Sequence, residues 1–595
     1  MVQMRALNPK APYASLCWGT MEQTVQIGEH ARRFLTYIPD GARPSTAGVF
    51  ILGGNGSSVE KLLETSGWQD LADREKVVLF FLEPENGIWQ TEEPYGSQDG
   101  DVAYINAVMV KSLERLHYCI HEAKYYLYGE DEGGTMAHMV AMNPPSNVNA
   151  TGIIWSGVAT IRAGEVQKAY RDACKNDRCI NLMGVWDVEG RLGRLKGSIP
   201  MPVWMVERTI SSPETLQYWK ESNGANCQFR LLEDGTEEFF RTAETEYPCN
   251  QDKRACCVWR TIGGPLFEMS AVNRAEQIWT RFLSRHRRWM GDPGGELRMN
   301  VDPAQDLGME YHMEEIGGWP REWYVFVPEF VRNNPDVSVP LVFALHGYSC
   351  SGEIYIGNSG WHRVAEDRNF IVVYPTALPG TLDFKSVASD PNNIPMPAWN
   401  FQHNMPEGPD EFAFFKTLLE RMATEYPVDR SRVYVTGHSH GSMMTQALAL
   451  GMPEVFAAAA PCSGVILAPM YENFMTLPEI WSNPQPMPIW MFAGKKEEWL
   501  INAQPDMENA TGKTLALWHS RNKLDGDVED RFRSDWTVYK DRWHDLIYRN
   551  SEGHPMLRFT VVDDFPHATN PEMSYRIWDE FFAHWARKGN VPRYQ

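Results

Sequence analysis

The stretch VYVTGHSHGSMMTQALAL, residues 433–450, contains the pattern on which the assignment of the fold depends. The β-branched run from Val433 is typical of a buried strand, and the end of the stretch is typical of a helix. Between them, GHSHG (residues 437–441) has the form G-x-S-x-G. Glycine is needed on both sides of the serine because a Cβ atom would collide with neighbouring backbone in so tight a turn. The pattern therefore predicts a strand–turn–helix unit that presents Ser439 as a nucleophile.

A loop suited to stabilising negative charge is predicted in LVFALHGYS, residues 341–349. This stretch reads as a buried strand followed by a loop that begins at His346. We expect the backbone N–H groups of Tyr348 and of His440, the residue after the nucleophile, to form an oxyanion hole. His346 is expected at the substrate-binding site, and shaping of the loop is its alternative role.

A general base is expected late in the chain, because proteins with such a turn carry their triad in the order serine, acid, histidine. His567 follows the apolar run RFTVV and precedes the final amphipathic helix, so it is the predicted base. His554 precedes that last strand and His584 lies within the final helix, where a structural histidine is the simpler interpretation. Both are therefore weaker candidates.

The acid of the triad should follow the apolar strand PIWMFAG, residues 488–494. Glu497 stands a few residues past the glycine, where such an acid normally lies; Glu498 and Asp506 are the alternatives. A carboxylate at this place holds the imidazole in the correct tautomer and stabilises the imidazolium that forms. A solvated loop charge is the simpler structural interpretation of each.

The chain repeats itself at about half its length. Shifting the segment that starts at Gly48 by 293 residues places it on the segment that starts at Pro340, with identical residues at ten positions. Further matches follow in the same order, including MPVWMV (residues 201–206) and MPIWMF (residues 487–492). We predict two α/β domains, residues 1–295 and 296–595, divided at a Pro- and Gly-rich break. Alternating strands and helices favour a mostly parallel sheet covered on both faces.

The first copy lacks the residues that carry chemistry in the second. At the elbow position it has Asp131 between Glu130 and Glu132, and the segment near its final strand contains no histidine. An aspartate nucleophile would still need a base to activate water. The sequence therefore predicts a degenerate, non-catalytic domain that packs against the second domain, walls its cleft or mediates assembly.

Three stretches of the second copy resemble polyhydroxybutyrate-depolymerase-type esterases, a family that includes feruloyl and acetyl-xylan esterases. They are the segment GPDEFAFFKTLLERMATEYPVDRSRVYVTGHSHGSMM, the loop LVFALHGYSCSGE, and the pair Trp399-Asn400 before Asp410. The resemblance covers about residues 320–585. It implies an α/β-hydrolase fold, a Ser–His–carboxylate triad and hydrolysis of esters, with Ser439 and His567 as nucleophile and base. Together with the internal repeat, this predicts tandem α/β-hydrolase domains.

The sequence departs from that family at two positions. Glu497 stands where the family usually has aspartate, and Tyr348 stands where the oxyanion loop often has cysteine or glycine. Both departures leave the substrate open among small or oligomeric esters of hydroxycinnamoyl, acetyl or hydroxyalkanoate type. Trp399 and Asn400 are expected at the substrate-binding site, and burial of Trp399 in the core is the alternative.

The composition limits the partners. With 56 Lys and Arg against 77 Asp and Glu, the net charge of −21 disfavours nucleic acid and anionic membrane surfaces. No basic segment followed by an apolar run begins the chain, so we expect a cytoplasmic protein, with secretion as the alternative. No C-x-x-C spacing occurs, so a zinc site is not expected. The predicted triad requires neither a metal nor an organic cofactor, so none is expected. Reduced thiols are the simplest interpretation, although a disulfide from Cys249 to Cys256 or Cys257 is possible, and a homo-oligomer stays open.

Two other functions remain as alternatives. A serine peptidase of the same fold would act on amides, but the sequence shows no recognisable site for a peptide backbone or N-terminus. A binding protein without catalysis is the second alternative, and the pairing of Ser439 with His567 argues against it.

Overall fold

The computed structural model describes most of the chain. The described residues are 3–4, 17–43, 46–112, 120–143, 155–176, 179–186, 192–196, 201–225, 228–240, 256–288, 297–380, 396–401, 408–466, 478, 484–497, 501–532, 536–563, 565, 567–589 and 591–595. In this part of the chain no helix is long and apolar enough to cross a membrane.

The strands of the first half are β1 (Gln3–Met4), β2 (Cys17–Ile27), β3 (His30–Ile38), β4 (Thr46–Leu52), β5 (Val78–Leu82), β6 (Ile120–Glu130), β7 (Gly157–Ile161), β8 (Cys179–Trp186), β9 (Leu192–Lys196), β10 (Val203–Glu207), β11 (Gln228–Leu231), β12 (Glu237–Phe240), β13 (Cys257–Ile262), β14 (His286–Arg288) and β15 (Leu297–Met299). Those of the second half are β16 (Glu310–Ile316), β17 (Trp319–Phe326), β18 (Val339–Leu345), β19 (Ile371–Thr376), β20 (Pro379–Gly380), β21 (Met396–Pro397), β22 (Val428–His438), β23 (Ala458–Cys462), β24 (Ile489–Gly494), β25 (Thr537–Tyr539), β26 (Trp543–Arg549), β27 (Pro555–Val562), β28 (Trp585–Lys588) and β29 (Val591–Tyr594).

The α-helices alternate with these strands. In the first half they span Val59–Thr65, Trp68–Glu75, Asp101–Lys111, Glu132–Met142, Lys168–Asn176, Pro213–Ser222 and Ala271–Arg281. In the second half they span Glu329–Asn333, Gly352–Ser359, Trp361–Arg368, Glu411–Glu425, His440–Gly451, Ala510–Arg521 and Pro571–Glu580.

The two halves have the same strand order. The first sheet runs β1-β2-β3-β5-β4-β6-β7-β10-β13-β12-β11, and the second runs β16-β17-β19-β18-β22-β23-β24-β27-β26-β25. Apart from the extra β1, each strand of one sheet has a counterpart in the other. In both sheets the six central strands pair in parallel and the outer strands pair antiparallel. The predicted tandem α/β fold is confirmed, with mostly parallel sheets in both domains.

The sheet of the second domain is buried on both faces. Side chains alternate along a strand, so successive residues enter the cores on opposite faces. In β18, Leu341, Phe343 and Leu345 belong to one hydrophobic core, whereas Val342 and Ala344 belong to the core on the opposite face. Strands buried in this way read as continuous apolar runs, as the sequence predicts.

The division of the chain at residues 295/296 differs from the strand pairing. β15, which that division assigns to the second domain, pairs antiparallel with β14 of the first. The equivalent strands β28 and β29 pair in the same way at the end of the second domain. The Pro- and Gly-rich break therefore lies in the connection between two paired strands, and β15 completes the first copy.

Two of the three cysteines considered for a disulfide are described. Cys256 and Cys257 are both buried, and Cys249 lies outside the described residues. The reduced state therefore stays a prediction.

Candidate active site

Ser439 lies at a strained turn between β22 and the helix His440–Gly451. Its backbone angles, φ of 54° and ψ of −116°, lie outside the regions that residues other than glycine commonly adopt. Such a conformation costs about 1–3 kcal/mol. A Cβ atom on Gly437 would lie 2.4 Å from the carbonyl oxygen of Gly441, and one on Gly441 would lie 2.4 Å from that of Leu345. Both glycines of the motif are therefore required by close backbone contacts. The turn places Ser439 at the carboxyl end of a central strand.

The structure brings Ser439, His567 and Glu497 into one hydrogen-bonded chain. Nε2 of His567 lies 2.8 Å from Oγ of Ser439, and Nδ1 of His567 lies 2.5 Å from Oε2 of Glu497. An ionised carboxylate only accepts hydrogen bonds, so Nδ1–H donates to Glu497 and Nε2 is left to accept from the serine hydroxyl. This is the tautomer in which His567 can take the proton of Ser439.

Glu497 is fully buried in a short 3₁₀ turn, Lys495–Glu497, directly after β24. Its Oε1 accepts hydrogen bonds from the hydroxyl of Ser463, at 3.0 Å, and from the backbone N–H of Gly494. These donors satisfy the carboxylate oxygen that does not face His567. Ser463 therefore fixes the orientation of the acid, and it has a left-handed φ of 58°.

The sequence interpretation missed Ser463. A signal existed, because this serine follows the apolar strand β23, and polar residues at the carboxyl ends of central parallel strands cluster at functional sites.

The other candidates for acid and base have different surroundings. Asp506 is exposed and its carboxylate accepts a hydrogen bond from the N–H of Glu508. The rings of His554 and His584 both stack on Tyr594 near the end of the chain. Glu498 lies outside the described residues.

His438, within the G-x-S-x-G motif, packs against the base. Its ring centroid lies 4.7 Å from that of His567. Burial lowers the pKa of His438 well below 6.5, so this ring is neutral at physiological pH. The neutral imidazole supports the ring of His567 without repelling an imidazolium as a second cation would. The sequence interpretation did not assign His438 a role, although the residue stands inside the motif.

The loop after β18 approaches Ser439 closely. A Cβ atom on Gly347 would lie 3.2 Å from Cβ of Ser439. The ring of the next residue, Tyr348, meets the ring of His440 edge to face at 6.2 Å. The two predicted oxyanion donors, the N–H groups of Tyr348 and His440, thus belong to segments that meet beside Ser439. His440 also begins a helix, and the first N–H groups of a helix favour negative charge.

His346 shapes this loop. Its Nδ1–H donates to the carbonyl oxygen of Gly347 at 2.6 Å, and its Nε2 accepts from the N–H of Ala377 at 2.9 Å. Burial lowers the pKa of His346 to about 4, which keeps the ring neutral. A neutral ring is required for Nε2 to accept.

Trp399 and Asn400 are buried beside the loop that begins at His346. The indole N–H of Trp399 donates to the carbonyl oxygen of His346 at 2.9 Å, and its backbone N–H donates to Nδ1 of His440 at 3.1 Å. The amide of Asn400 donates to the carbonyl oxygen of Pro409 at 3.0 Å. His346, Trp399 and Asn400 expose 0%, 0% and 2% of their surfaces, so a substrate has almost no surface of theirs to touch. The structure gives all three residues framing contacts, which differs from the expected role in substrate binding.

The elbow of the first domain has the backbone conformation of Ser439 but different side-chain contacts. Asp131 has a φ of 54° and a ψ of −124°, and its carboxylate accepts two hydrogen bonds from Arg162, at 2.6 and 2.8 Å. Arg162 occupies the position of Ser463: their φ values are 57° and 58°, and each N–H donates at 2.8 Å to the next central strand. In the second domain this position carries Ser463, which donates to Glu497. In the first domain it carries Arg162, whose guanidinium pairs with the carboxylate of Asp131.

Comparison with known proteins agrees with the predicted resemblance. Residues 315–555 match the family model Esterase, described as "Putative esterase". The chain is similar to acetylxylan esterase A of Aspergillus awamori, with 32% identity over 25% of this chain and 44% of the relative. It is also similar to poly(3-hydroxyalkanoate) depolymerase C of Paucimonas lemoignei, with 35% identity over 22% of this chain and 30% of the relative.

A third relative extends this comparison. Feruloyl esterase B of Talaromyces funiculosus is 27% identical over 33% of this chain and 52% of the relative. The matches thus span between 30% and 52% of the length of these three relatives. The resemblance of the second domain to depolymerase-type, acetylxylan and feruloyl esterases is confirmed.

Proposed function

We propose that this protein is a serine carboxylic ester hydrolase that works through an acyl-enzyme. The observation that carries the proposal is the hydrogen-bonded chain from Ser439 Oγ through His567 to the buried carboxylate of Glu497, with distances of 2.8 and 2.5 Å. A serine hydroxyl is a weak nucleophile until an adjacent base accepts its proton. The match of residues 315–555 to an esterase family supports the same class of reaction.

The acylation step follows from this geometry. Oγ of Ser439 attacks the ester carbonyl carbon while Nε2 of His567 takes the hydroxyl proton. The carbonyl oxygen becomes an oxyanion, which the N–H groups of Tyr348 and His440 stabilise. Collapse of the intermediate breaks the bond to the alcohol oxygen, and His567 returns its proton to the departing alcohol. The acyl group then remains on Ser439.

Deacylation reverses these roles. His567 takes a proton from water as the water attacks the acyl carbonyl, and the same oxyanion donors act again. The acid product leaves when the bond to Oγ breaks and the proton returns to Ser439. Glu497 stays ionised throughout and stabilises the imidazolium that forms in both halves of the reaction.

The substrate class follows from the relatives and is part of the proposal. Their names are acetylxylan esterase, poly(3-hydroxyalkanoate) depolymerase and feruloyl esterase. We place the substrate among small or oligomeric esters with an acetyl, hydroxyalkanoate or hydroxycinnamoyl acyl group.

The first domain has no part in the chemistry in this proposal. Its elbow residue Asp131 is held by Arg162 in a two-point ion pair, and the elbow carries neither serine nor cysteine. A carboxylate paired in this way is a poor nucleophile because its charge is already neutralised.

Hydrolysis of p-nitrophenyl acetate and p-nitrophenyl butyrate, by the wild type and by Ser439→Ala, tests the proposal. Release of p-nitrophenol should fall to the uncatalysed rate in the variant. Methyl ferulate, an acetylated xylo-oligosaccharide and a 3-hydroxybutyrate dimer then distinguish the acyl groups, and the amide that matches the best ester tests for peptidase activity. Retention of wild-type activity by Ser439→Ala, or faster cleavage of the amide, contradicts the proposal.

A further inference from the structure

Two adjacent buried arginines in β14 of the first domain differ in what they contact. Nε of Arg288 donates at 2.9 Å to the carbonyl oxygen of Trp155, within its own domain. Arg287 reaches out of the domain: its guanidinium donates at 3.3 Å to the carbonyl oxygen of Ile354 and at 2.9 Å to Oδ1 of Asn358. The helix Gly352–Ser359, to which both acceptors belong, is part of the second domain.

Comparison with the second copy of the repeat distinguishes the roles of these two arginines. Arg288 has a counterpart in Arg587 of β28, which donates at 3.0 Å to the carbonyl oxygen of Phe456, at the matching place in the second domain. Arg287 has Ala586 as its counterpart. Two equivalent hydrogen bonds fix this alignment. The hydroxyl of Tyr126 donates to the carbonyl oxygen of His286, just before Arg287, and that of Tyr434 donates to the carbonyl oxygen of Trp585, just before Ala586, at 2.6 Å in each case. The shared fold thus requires an arginine at the second position but not at the first.

Arg287 is fitted closely to the helix. Only 4% of its surface is exposed, and a Cβ atom on Gly357 would lie 2.2 Å from its guanidinium nitrogen. Among the described residues, no carboxylate lies within ion-pair distance of Arg287. A carbonyl oxygen and a side-chain amide are its hydrogen-bond acceptors on the described helix, and Glu353 of the same helix attracts it from farther away. Burying a cation with no close carboxylate is costly, and docking of this helix accounts for its presence.

The helix that Arg287 holds is joined to the oxyanion loop. Ser351, which caps the helix by accepting from the N–H of Ile354 at 3.3 Å, lies three residues after Tyr348. A cavity of about 430 Å³ opens between the domains along Ser351, Glu353 and Ile354. This side of the helix faces the cavity, whereas Tyr355 and Ile356 pack into a hydrophobic core of the second domain. Beside the cavity, the hydrogen bonds of Arg287 join the helix to the first domain.

We infer that Arg287 is a positioning residue: through the helix Gly352–Ser359, the first domain holds the oxyanion loop of the second in its working geometry. The inference rests on the proposed function, because it gives the non-catalytic domain a role in that reaction. A displacement of an oxyanion donor by about 1 Å costs on the order of 100-fold in rate, so a partial loosening is expected to cost about tenfold.

The test compares Arg287→Lys with Arg288→Lys in the full-length protein, since both substitutions shorten a buried arginine and keep its charge. For Arg287→Lys we expect kcat on p-nitrophenyl butyrate to fall about tenfold while KM stays within about twofold. For Arg288→Lys we expect a lower thermal midpoint and kcat within about twofold of the wild type at 25 °C. Asn358→Ala should reproduce the loss of Arg287→Lys, and the double variant should be no worse than either.

Hydrogen–deuterium exchange of residues 347–359 provides a readout that does not depend on turnover. Faster exchange there in Arg287→Lys and Asn358→Ala, but not in Arg288→Lys, supports the anchoring even if the wild type hydrolyses no ester and the proposed function fails. Unchanged kcat in both Arg287→Lys and Asn358→Ala, with a wild type that is active, overturns the inference. Unchanged exchange in both variants overturns it as well, whatever the activity.

Discussion

Ser439 and Asp131 have the same backbone conformation, with φ of 54° at both residues and ψ of −116° and −124°. Each stands between a central strand and a helix, and each donates its N–H to the neighbouring strand, at 2.9 and 2.8 Å. The strained turn is therefore a property of the shared topology and does not depend on the presence of a nucleophile. What differs is the surroundings of the turn. His567 and the buried carboxylate of Glu497 lie beside Ser439. The guanidinium of Arg162 lies beside Asp131. In the proposed function this difference determines which domain is catalytic.

Replacement of Asp131 by serine should not create a second active site. In Asp131→Ser we expect ester turnover within about twofold of the wild type, and in Asp131→Ser/Ser439→Ala none above background, because the turn alone provides no base. The lost ion pair with Arg162 is partly exposed, so the free energy of unfolding should fall by no more than about 1 kcal/mol. Initial rates and urea unfolding check both; turnover by the double variant would contradict the assignment.

Glu497→Gln should lower kcat by about 10³–10⁴-fold, since an amide cannot stabilise the imidazolium of His567 and favours the wrong tautomer. KM should change little, because Glu497 is fully buried and does not touch the substrate. Glu498→Gln is the matched control and should keep the wild-type kcat. The opposite pattern in steady-state kinetics would make Glu498 the acid.

Ser463→Ala should lower kcat by about tenfold, mainly because the carboxylate of Glu497 loses a donor. The hydroxyl of Ser463 also lies 3.3 Å from the carbonyl oxygen of Ala568, the residue after the base. The hydroxyl of Ser463 donates to Oε1 of Glu497, and a hydrogen bond to a charged group contributes about 1.5–3 kcal/mol. Ser442→Ala removes a hydroxyl that is equally buried but donates to the carbonyl oxygen of Gly464, and it should leave kcat within about twofold. Equal losses in the two variants would show that Ser463 has no specific role in orienting Glu497.

Acid should destabilise the fold through buried neutral histidines. Burial lowers the pKa values of four of them to about 3 or 4: His138, His346, His362 and His440. The unfolded chain binds these protons near pH 6.5 but the native state does not, so stability is present above pH 6.5 and is lost as the pH falls towards 4. Each histidine contributes about 1.4 kcal/mol per pH unit in that window.

Urea unfolding at pH 7, 6 and 5 measures this slope, and His362→Asn should reduce it by one histidine's share. Glu93 acts in the opposite direction, because burial raises its pKa to about 7 and its native form takes up a proton as the pH falls. Burial raises the pKa of Asp101 as well, so this carboxyl acts in the same direction as Glu93. Two carboxyls cannot offset four histidines. Stability that is constant between pH 7 and 5, or a slope that His362→Asn leaves unchanged, would contradict the neutral buried state.

The repeated pattern in the sequence predicts the tandem sheets because it marks the strands and the turn of each copy in the same order. Apolar runs mark strands buried on both faces, and the glycines around Ser439 mark the turn. The order of Ser439, Glu497 and His567 along the chain follows from the order of the strands that carry them. For that reason the residues selected from sequence are the ones that the structure brings together.

Other features depend on contacts that no local pattern encodes. Ser463 meets Glu497 from another strand, and Arg287 meets Asn358 across a domain interface, so neither follows from spacing. Trp399 was open to two interpretations, since a tryptophan suits a core as well as a cleft, and burial determined the outcome. The predicted domain division differs from the strand pairing, because a Pro- and Gly-rich run marks a break in secondary structure whether or not it separates domains.

The central claim is that Ser439 is acylated. The most direct measurement is to treat the full-length protein and Ser439→Ala with a fluorophosphonate, digest both, and locate the adduct by mass spectrometry. We predict one adduct, on Ser439, with loss of ester turnover in proportion to labelling and no adduct in the variant. Turnover that persists in a protein fully labelled at Ser439, or an adduct that forms elsewhere while Ser439 stays unmodified, would contradict the account.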